Sequence, residues 1–264
     1  MAAPRSVAVI QARAGSTRFP RKVLEDLCGK PMLAHVIERV ALAATIDDVV
    51  VATTVEAEDD VVANLATDFG ARVTRGPVAD VLGRYVLAAR EHDADVVVRV
   101  TSDCPLVDPE LIDRLVRMRA AAGADYASNE LPPTYPQGYD VEVLTAACLR
   151  RLDVESVLGY HREHVTARLR EHAAEYRTVN LVNDRDLSSL RLTVDVPADL
   201  DRVRTILIAL PPTPPPDLAA VVAYFESNST LWDQSGLPAR DERYRAQRDA
   251  ALRSERAAGA DPSS

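Results

Sequence analysis

The sequence predicts an α/β protein with a doubly wound, mostly parallel β-sheet. Short runs of β-branched residues, such as DVVVAT at 48–53 and DVVVRVT at 95–101, recur along the first two thirds of the chain. Continuous apolar runs of this kind are typical of strands that helices cover on both faces. Longer segments with a helical spacing of apolar residues separate the runs, and this alternation favours a parallel sheet.

Local signals place the elements of the first half of the chain. Pro31 suits the first turn of a helix because proline lacks the amide proton that a first turn leaves unpaired. Gly70 suits a helix end, where a left-handed residue is common. We expect strands at 7–10, 48–53, 71–74 and 95–101 and helices at 31–44, 59–70, 79–93 and 109–123.

Beyond residue 124 the sequence becomes polar and rich in turn residues. There we expect strands near 125–128, 139–144, 176–182 and 190–194 and helices at 145–153, 160–172, 197–210 and 217–226. We assign residues 1–210 to one domain. Residues 211–264 comprise a Pro-rich linker, PPTPPP, then a short helix and a charged tail that we expect to be loose or dependent on a partner.

Composition limits the function classes. The net charge of −9 excludes nucleic-acid binding by the chain as a whole, so any phosphate site must be local. The three cysteines lack metal-ligand spacing, which fits a reducing cytoplasm. The sequence contains neither the apolar segment of a signal peptide nor a membrane span, so we expect a cytoplasmic protein that does not contact a membrane.

The segment QARAGSTRFPRK at 11–22 is strongly basic and follows directly on the first strand. Ligands of open α/β sheets bind beyond the carboxyl ends of the strands. Arg13 and Arg18 can fork onto phosphate oxygens, and Lys22 supplies a mobile charge. Gly15 and Ser16 allow backbone N–H groups to face an anion. The spacing is neither a Walker A loop nor G-x-G-x-x-G, and an ordinary solvated basic loop is the alternative.

This segment, with GKPMLAHVIERV at 29–40, resembles the signature of the cytidylyltransferase family, which includes the spore-coat polysaccharide type and the CMP-acylneuraminate and CMP-Kdo synthetases. Further motifs match in order to about residue 210: VVVATT, RGPVADVLGRY, VVVRVTSDCPLVDPELID, DYASN, YPQGYDVEV, REHVT and LRLTVDVPADL. The resemblance implies a Rossmann-like nucleotidyltransferase fold, in which the first loop holds the triphosphate of CTP. It implies that role for the side chains of Arg13, Ser16, Arg18 and Lys22.

Two positions depart from the family pattern. The family usually has glycine where this chain has Arg21 and Ser102, and a glycine lets the backbone approach a nucleotide closely. Ser102 is small enough to be tolerated, whereas the role of Arg21 stays open.

The predicted nucleotide contacts extend beyond the first loop. Arg75 and Arg84 are candidates for contacts to the base or ribose, with an exposed helical arginine as the alternative for Arg84. The residues predicted to contact the nucleotide are Gln11, Ala12, Arg13, Gly15, Ser16, Arg18, Lys22, Thr53, Arg75, Arg84 and Ser102. Within the site, Arg13, Lys22 and Asp103 are predicted to be catalytic.

Two aspartates are candidate metal ligands. Asp103 follows the strand at 95–101, and Asp195 follows the one predicted at 190–194. Mg²⁺ prefers a few carboxylates together with waters and phosphate oxygens, so two aspartates suffice. The alternative is that each aspartate caps the helix after it. The resemblance favours Mg²⁺ as the cofactor, because aspartates in these motifs are the family's metal ligands.

The polar segment beyond residue 124 is predicted to form a small subregion for acceptor binding and dimerisation. The residues predicted to contact the acceptor are Asn129, Gln137, Gly138, Asp140, Glu142 and His164. A surface arm used only for dimer contact is the alternative. Zinc at His161 and His164 is disfavoured because no third ligand is evident. The aromatic stretch YFESNSTLW at 224–232 leads us to expect a homodimer.

The implied activity is Mg²⁺-dependent transfer of CMP from CTP to a small acidic sugar of the ulosonic or nonulosonic type, with release of pyrophosphate. A nucleotidyltransferase that uses UTP, or that activates a phosphonate or a sugar phosphate, is an open alternative. A glycosyltransferase is less favoured, because the strand end reads Ser102-Asp103-Cys104 and not D-x-D. A binding protein without catalysis is disfavoured because both candidate aspartates are present.

Overall fold

The structure is a computed structural model that describes residues 3–16, 18–228, 240 and 242–259, and of residues 243 and 254–259 only the backbone. Nine strands are numbered in chain order: β1 (Ser6–Gln11), β2 (Asp26–Leu27), β3 (Lys30–Pro31), β4 (Asp48–Thr54), β5 (Arg72–Gly76), β6 (Val96–Thr101), β7 (Tyr126–Ser128), β8 (Glu142–Thr145) and β9 (Thr178–Asn180). Seven form one sheet in the order β5-β4-β1-β6-β8-β7-β9, and β2 pairs with β3 in a separate hairpin.

The predicted doubly wound α/β sheet is confirmed. β1 lies between β4 and β6 and pairs in parallel with both. Its apolar residues are buried on both faces, because helices cover the sheet on both sides. The covering helices of this half are α1 (Met32–Ala41), α2 (Asp60–Asp68), α3 (Val81–Glu91) and α4 (Pro109–Ala121).

The second half of the sheet is mixed. β8 runs antiparallel to both β6 and β7, and β9 is parallel to β7. The strand predicted at 190–194 is wrong, because this segment is extended but makes only one bridge, between Gln137 and Arg191. Gly138 explains the close approach: a Cβ there would lie 2.6 Å from the carbonyl carbon of Leu192, and its φ of 105° suits glycine.

The remaining helices are α5 (Ala146–Glu155), α6 (Gly159–Glu163), α7 (Ala167–Glu171), α8 (Pro197–Ala209), α9 (Leu218–Ser227) and α10 (Glu242–Gly259). The single helix predicted at 160–172 is wrong. It is two short helices, α6 and α7, because Val165 between them has a left-handed φ of 49°. No helix in the described part of the chain is both long and apolar enough to span a bilayer.

The segment beyond residue 210 also departs from expectation. Val221 and Phe225 of α9 are completely buried in the main core, so Phe225 is not available to an interface. Residues 229–232, the rest of the aromatic stretch, lie outside the described residues. The charged tail predicted to be loose contains α10, which packs against α6. The homodimer stays a prediction.

Candidate functional site

A cleft of about 830 Å³ opens at the carboxyl ends of β1 and β6. Gln11 at the end of β1 lies beside Thr101 at the end of β6, and both line the cleft. The basic segment 11–22 and the segment that follows β6 therefore leave the sheet at one edge, where such folds bind ligands. The predicted site residues that line this cleft are Gln11, Ala12, Arg13, Ser16, Arg18, Lys22, Arg84, Ser102, Asp103, Gln137, Asp140, His164 and Asp195.

Lys22 lies between the two predicted metal ligands. Its Nζ is 3.3 Å from Asp103 Oδ2 and 3.0 Å from Asp195 Oδ1. The same ammonium donates a hydrogen bond to the Val194 carbonyl at 2.7 Å. The Lys22 side chain is only 12% exposed, so solvent screens these pairs weakly. One cation therefore joins two carboxylates from distant parts of the sequence.

Charge pairing outweighs burial in this cluster. Burial would raise the pKa of Asp195, but the charge of Lys22 and the hydrogen bonds from Lys22 and Arg191 lower it to about 2. Burial would likewise lower the pKa of Lys22, but the neighbouring Asp103 and Asp195 raise it. Lys22 and Asp195 are consequently both charged at neutral pH.

Other side chains cap the helices that follow the two aspartates. The Asp108 side chain accepts the Glu110 N–H at the start of α4. At the start of α8, Asp199 Oδ2 accepts the backbone N–H of the N-cap residue Val196 at 3.1 Å. The carboxylates of Asp103 and Asp195 are therefore not needed as caps and face the cleft.

Arg191 fixes the position of Asp195. Its Nη2 donates to Asp195 Oδ2 at 2.8 Å, and its Nε donates to the buried Asp199 at 3.2 Å. Gln137, a predicted acceptor residue, accepts a further hydrogen bond from Arg191 at 3.1 Å. The guanidinium thus links the metal-ligand candidate to a second residue that lines the cleft.

Internal contacts shape the basic loop. The Ala14 N–H donates to the buried Asp59 at 2.6 Å, and the Ser16 N–H donates to the Ala14 carbonyl at 2.8 Å. These two amides are therefore engaged within the protein. Gly15 does not line the cleft; a Cβ there would lie 3.0 Å from Glu58 Oε1.

The cations of the loop differ in their partners. Arg18 forms an ion pair with Asp195 at 3.1 Å. Arg13 is half-buried, and no carboxylate pairs with it among the residues that the structure describes. Arg21 is exposed and has a left-handed φ of 58°, so a glycine at this position would satisfy the backbone conformation. Thr17, between Ser16 and Arg18, lies outside the described residues.

Thr53 and Arg75 do not line the cleft, and Arg84 lines it with its guanidinium hydrogen-bonded to the backbone. Thr53 is completely buried in β4. Arg75 donates to the Thr54 carbonyl at 2.7 Å and pairs with Asp60 at 2.6 Å. Arg84 does line the cleft, but its guanidinium donates to the Pro77 carbonyl at 2.6 Å and so supports the cleft wall.

Three predicted acceptor contacts also lie outside the lining. Asn129 is completely buried and accepts the Val141 N–H at 3.0 Å. Gly138 packs against the extended segment described above. Glu142 is 1% exposed, pairs with Arg99 and accepts a hydrogen bond from Tyr126 at 2.6 Å.

Half-buried polar and charged side chains line one part of the cleft, which we call the acceptor end and define by Arg99, Glu130, Asp140, Glu163, His164 and Arg170. Arg170 pairs with Glu130 at 3.4 Å. Burial, together with the nearby Glu142 and Asp140, raises the pKa of Glu130 to about 8. The neighbouring Arg99 and Arg170 lower the pKa of Glu142, although burial opposes this shift.

Sequence reasoning missed several residues of the site: Arg99, Glu130, Glu163, Arg170 and Arg191, and the residues of α10 that line the cleft. Arg99 carried a usable signal, because it interrupts the apolar run of β6 and a charge in a buried strand needs a partner. Arg191 interrupts an apolar segment in the same way. Nothing comparable marks Glu163 or α10.

The donor set fits a hard cation that brings additional oxygen ligands. Among the described residues, no group of three or more histidine, cysteine or acidic side chains forms a metal site. Asp103 and Asp195 both contact one ammonium, so one cation can lie within reach of both carboxylates. Mg²⁺ bound by two carboxylates together with substrate phosphates would suit this pair.

Comparisons with known proteins identify the family of the chain. The sequence model of the family Cytidylyltransferase matches residues 7–233. The spore coat polysaccharide biosynthesis protein SpsF of Bacillus subtilis (strain 168) is 33% identical over 209 residues, which cover 75% of this chain and 84% of that protein. A 3-deoxy-manno-octulosonate cytidylyltransferase of Anaeromyxobacter dehalogenans (strain 2CP-1) is 34% identical over 250 residues, 78% of this chain and 99% of the relative.

Solved structures share the fold. A cytidylyltransferase from Leptospira borgpetersenii superposes with a TM-score of 0.85 at 28% identity, covering 90% of this chain and all of that one. CMP:2-keto-3-deoxy-manno-octonic acid synthetase, solved with CTP, has a TM-score of 0.60 at 22% identity and covers 78% of this chain and 99% of its own.

Proposed function

The chain belongs to the cytidylyltransferase family, and we propose that it transfers CMP from CTP to a hydroxyl of a small acidic sugar, with release of pyrophosphate. The observation that carries the proposal is the convergence of Lys22, Asp103 and Asp195 beside the basic loop, at the edge of the sheet where nucleotides bind. The names of the relatives support an acidic sugar as the acceptor class.

Asp103 and Asp195 would hold the Mg²⁺ cofactor. When bound, Mg²⁺ would supply Lewis-acid stabilisation of the charge on the reacting phosphate. Lys22 would then be released from the two carboxylates and become available to phosphate oxygens, for which its flexible stem is suited.

The residues of the chain act mainly by positioning and by charge neutralisation. In the proposed reaction the acceptor hydroxyl releases its proton to water and its oxygen forms a bond to the α-phosphorus of CTP. The α–β anhydride bond breaks, and pyrophosphate departs with the bonding electron pair. Arg13, Arg18 and Lys22 would bind the β- and γ-phosphates and offset the charge that develops on the leaving group. The half-buried Arg13 suits this role because no carboxylate among the described residues pairs with it.

The acceptor end offers both signs of charge. Arg99 and Arg170 line it and would face the acid group of the acceptor, while Asp140 and Glu163 can accept hydrogen bonds from its hydroxyls. We also propose that the chain works as a homodimer, which sedimentation velocity of the full chain would test.

Pyrophosphate release tests the proposal. The assay combines Mg²⁺ and each of the four nucleoside triphosphates with a panel of ulosonic acids, nonulosonic acids, sugar phosphates and hydroxyalkylphosphonates. Release with CTP and one acidic sugar, lost in Asp103→Asn, would establish the reaction. Release only with a phosphonate or a sugar phosphate would show that the acceptor belongs to that class and is not an acidic sugar. Absence of CTP binding by calorimetry would overturn the assignment of the basic loop.

A further inference from the structure

Helix α10 lies beyond the residues that the family model matches, yet it forms part of the cleft. Its residues on the cleft side are Glu242, Tyr244, Gln247, Ala250 and Ala251. Tyr244, Gln247 and Ala251 are spaced by three and four residues, so they share one face of the helix. The two alanines leave space in front of this face, which makes α10 a wall of the cleft and not a plug.

The contacts of α10 fall at the acceptor end. Gln247 Nε2 donates to Glu163 Oε2 at 2.6 Å, and Gln247 Oε1 lies 2.5 Å from His164 Nε2. Tyr244 donates its hydroxyl hydrogen to Glu171 at 2.8 Å and stacks edge-on against His164. Arg240, just before the helix, pairs with Asp140.

Polar groups hold α10 in place. Its cleft-facing side offers an amide, a phenol, a carboxylate and two alanines, whereas a core-packing helix would present an apolar stripe of leucine, isoleucine or valine. An amide oxygen only accepts hydrogen bonds, so the His164 Nε2 that faces Gln247 carries a proton. Gln247 thereby fixes the positions of His164 and Glu163, and its amide keeps a second N–H and a second oxygen lone pair for a ligand.

We infer that α10 completes the acceptor pocket and that Gln247 is a specificity-determining residue, which recognises the hydroxyl groups of a polyhydroxylated acceptor and holds His164 and Glu163 to receive them. An amide that both donates and accepts, beside a carboxylate and a histidine, matches hydroxyls, which also do both. The acid group of the acceptor faces Arg99 and Arg170, because Glu163 and Glu242 would repel it on the α10 side. This inference rests on the proposed function.

Steady-state kinetics of the full chain test it, with CTP, Mg²⁺ and either 3-deoxy-manno-octulosonate or N-acetylneuraminate as the acceptor probe. Gln247→Leu keeps the size of the side chain but removes its hydrogen bonds, so KM for the acceptor should rise about tenfold while KM for CTP stays within twofold. Arg245→Ala is the matched control, since Arg245 is exposed on the same helix and does not line the cleft. Removal of residues 240–264 should raise KM for the acceptor further.

The outcomes separate this inference from the proposed function. Normal turnover by the wild-type chain, with KM for the acceptor unchanged in Gln247→Leu, overturns the inference alone. Faster turnover after removal of residues 240–264, without a rise in KM for the acceptor, means that α10 obstructs the cleft and also overturns it. No turnover by the wild-type chain with any acceptor overturns the proposed function, and the inference with it. Equal losses for CTP and acceptor indicate a general structural role and contradict specificity.

Discussion

Asp199, and not Asp195, caps helix α8: its Oδ2 accepts the backbone N–H of the N-cap residue Val196 at 3.1 Å. The side chain of Asp195 lines the cleft instead. Sequence alone could not separate these roles, because either aspartate suits a helix N-terminus. Because Asp199 provides the cap, substitution of Asp195 should change the chemistry of the cleft and leave the start of α8 largely intact.

We expect Asp195→Asn to lower kcat/KM for CMP transfer at least about a hundredfold, because the amide keeps the shape but loses the charge that pairs with a cation. Pyrophosphate release at saturating CTP measures the loss. Asp201→Asn is the control, since Asp201 lies on the following helix, α8, is exposed and pairs with Arg204. Equal activity of the two variants would show that the Asp195 carboxylate does not take part in the reaction.

Arg191→Met should destabilise the fold by about 3 kcal/mol, because it leaves Asp195 and the buried Asp199 without their shared guanidinium. Urea denaturation gives the free energy of unfolding. Arg204→Met, which removes an exposed ion pair, should change it by less than about 1 kcal/mol. If both variants unfold at the same urea concentration, the buried network contributes little to stability.

Arg21→Gly should raise the free energy of unfolding by about 1 kcal/mol, because the residue has a left-handed φ of 58° that is costly for a side chain with a Cβ. Arg21→Ala retains the Cβ and should bring no comparable gain. Thermal unfolding of the pair measures the difference. Equal melting temperatures for the glycine and alanine variants would show that backbone strain is not the reason for the family's glycine.

The stability that Glu130 contributes should depend on pH. Its pKa is raised to about 8 from the ordinary 4.5, so the folded state holds a proton that the unfolded state releases between these values. Stability from this group is present below pH 4.5 and is lost as pH rises through 8. The free energy of unfolding of Glu130→Gln, relative to wild type, should therefore increase by at least ~1.4 kcal/mol from pH 5 to pH 9, which corresponds to one pKa unit.

Urea denaturation at both pH values checks this, with Glu110→Gln as the control at an exposed carboxylate. A difference between Glu130→Gln and wild type that stays constant across the range would show that Glu130 is already ionised at neutral pH.

Much of the parallel half of the fold could be predicted, because its strands are buried on both faces and each is a continuous apolar run. The other half could not be predicted in the same way. The segment 190–194 has a strand-like sequence, but its backbone pairs with Gln137 and Asp103 instead of a neighbouring strand. The break at Val165 was equally hidden, because a β-branched residue gives no signal for a positive φ.

The location of Lys22 and Asp103 at one edge of the sheet could be predicted, because parallel strands end there. The pairing of Lys22 with both carboxylates could not. The residues of the acceptor end were harder to predict from the sequence. Polarity identified its segment but could not separate Asp140, which lines the cleft, from Glu142, which is buried behind it and pairs with Arg99. The contribution of α10 depends on long-range polar contacts, which leave no periodic pattern in the sequence.

The position of Lys22 between Asp103 and Asp195 means that the resting protein carries its own counter-ion. A free divalent ion would have to compete with an ammonium that is tethered in place and present at a high effective concentration. A nucleotide–metal complex meets a smaller obstacle, because its phosphates accept the ammonium that its metal displaces. If the site binds Mg²⁺ and CTP as proposed, it should favour the joint arrival of metal and nucleotide over either one alone.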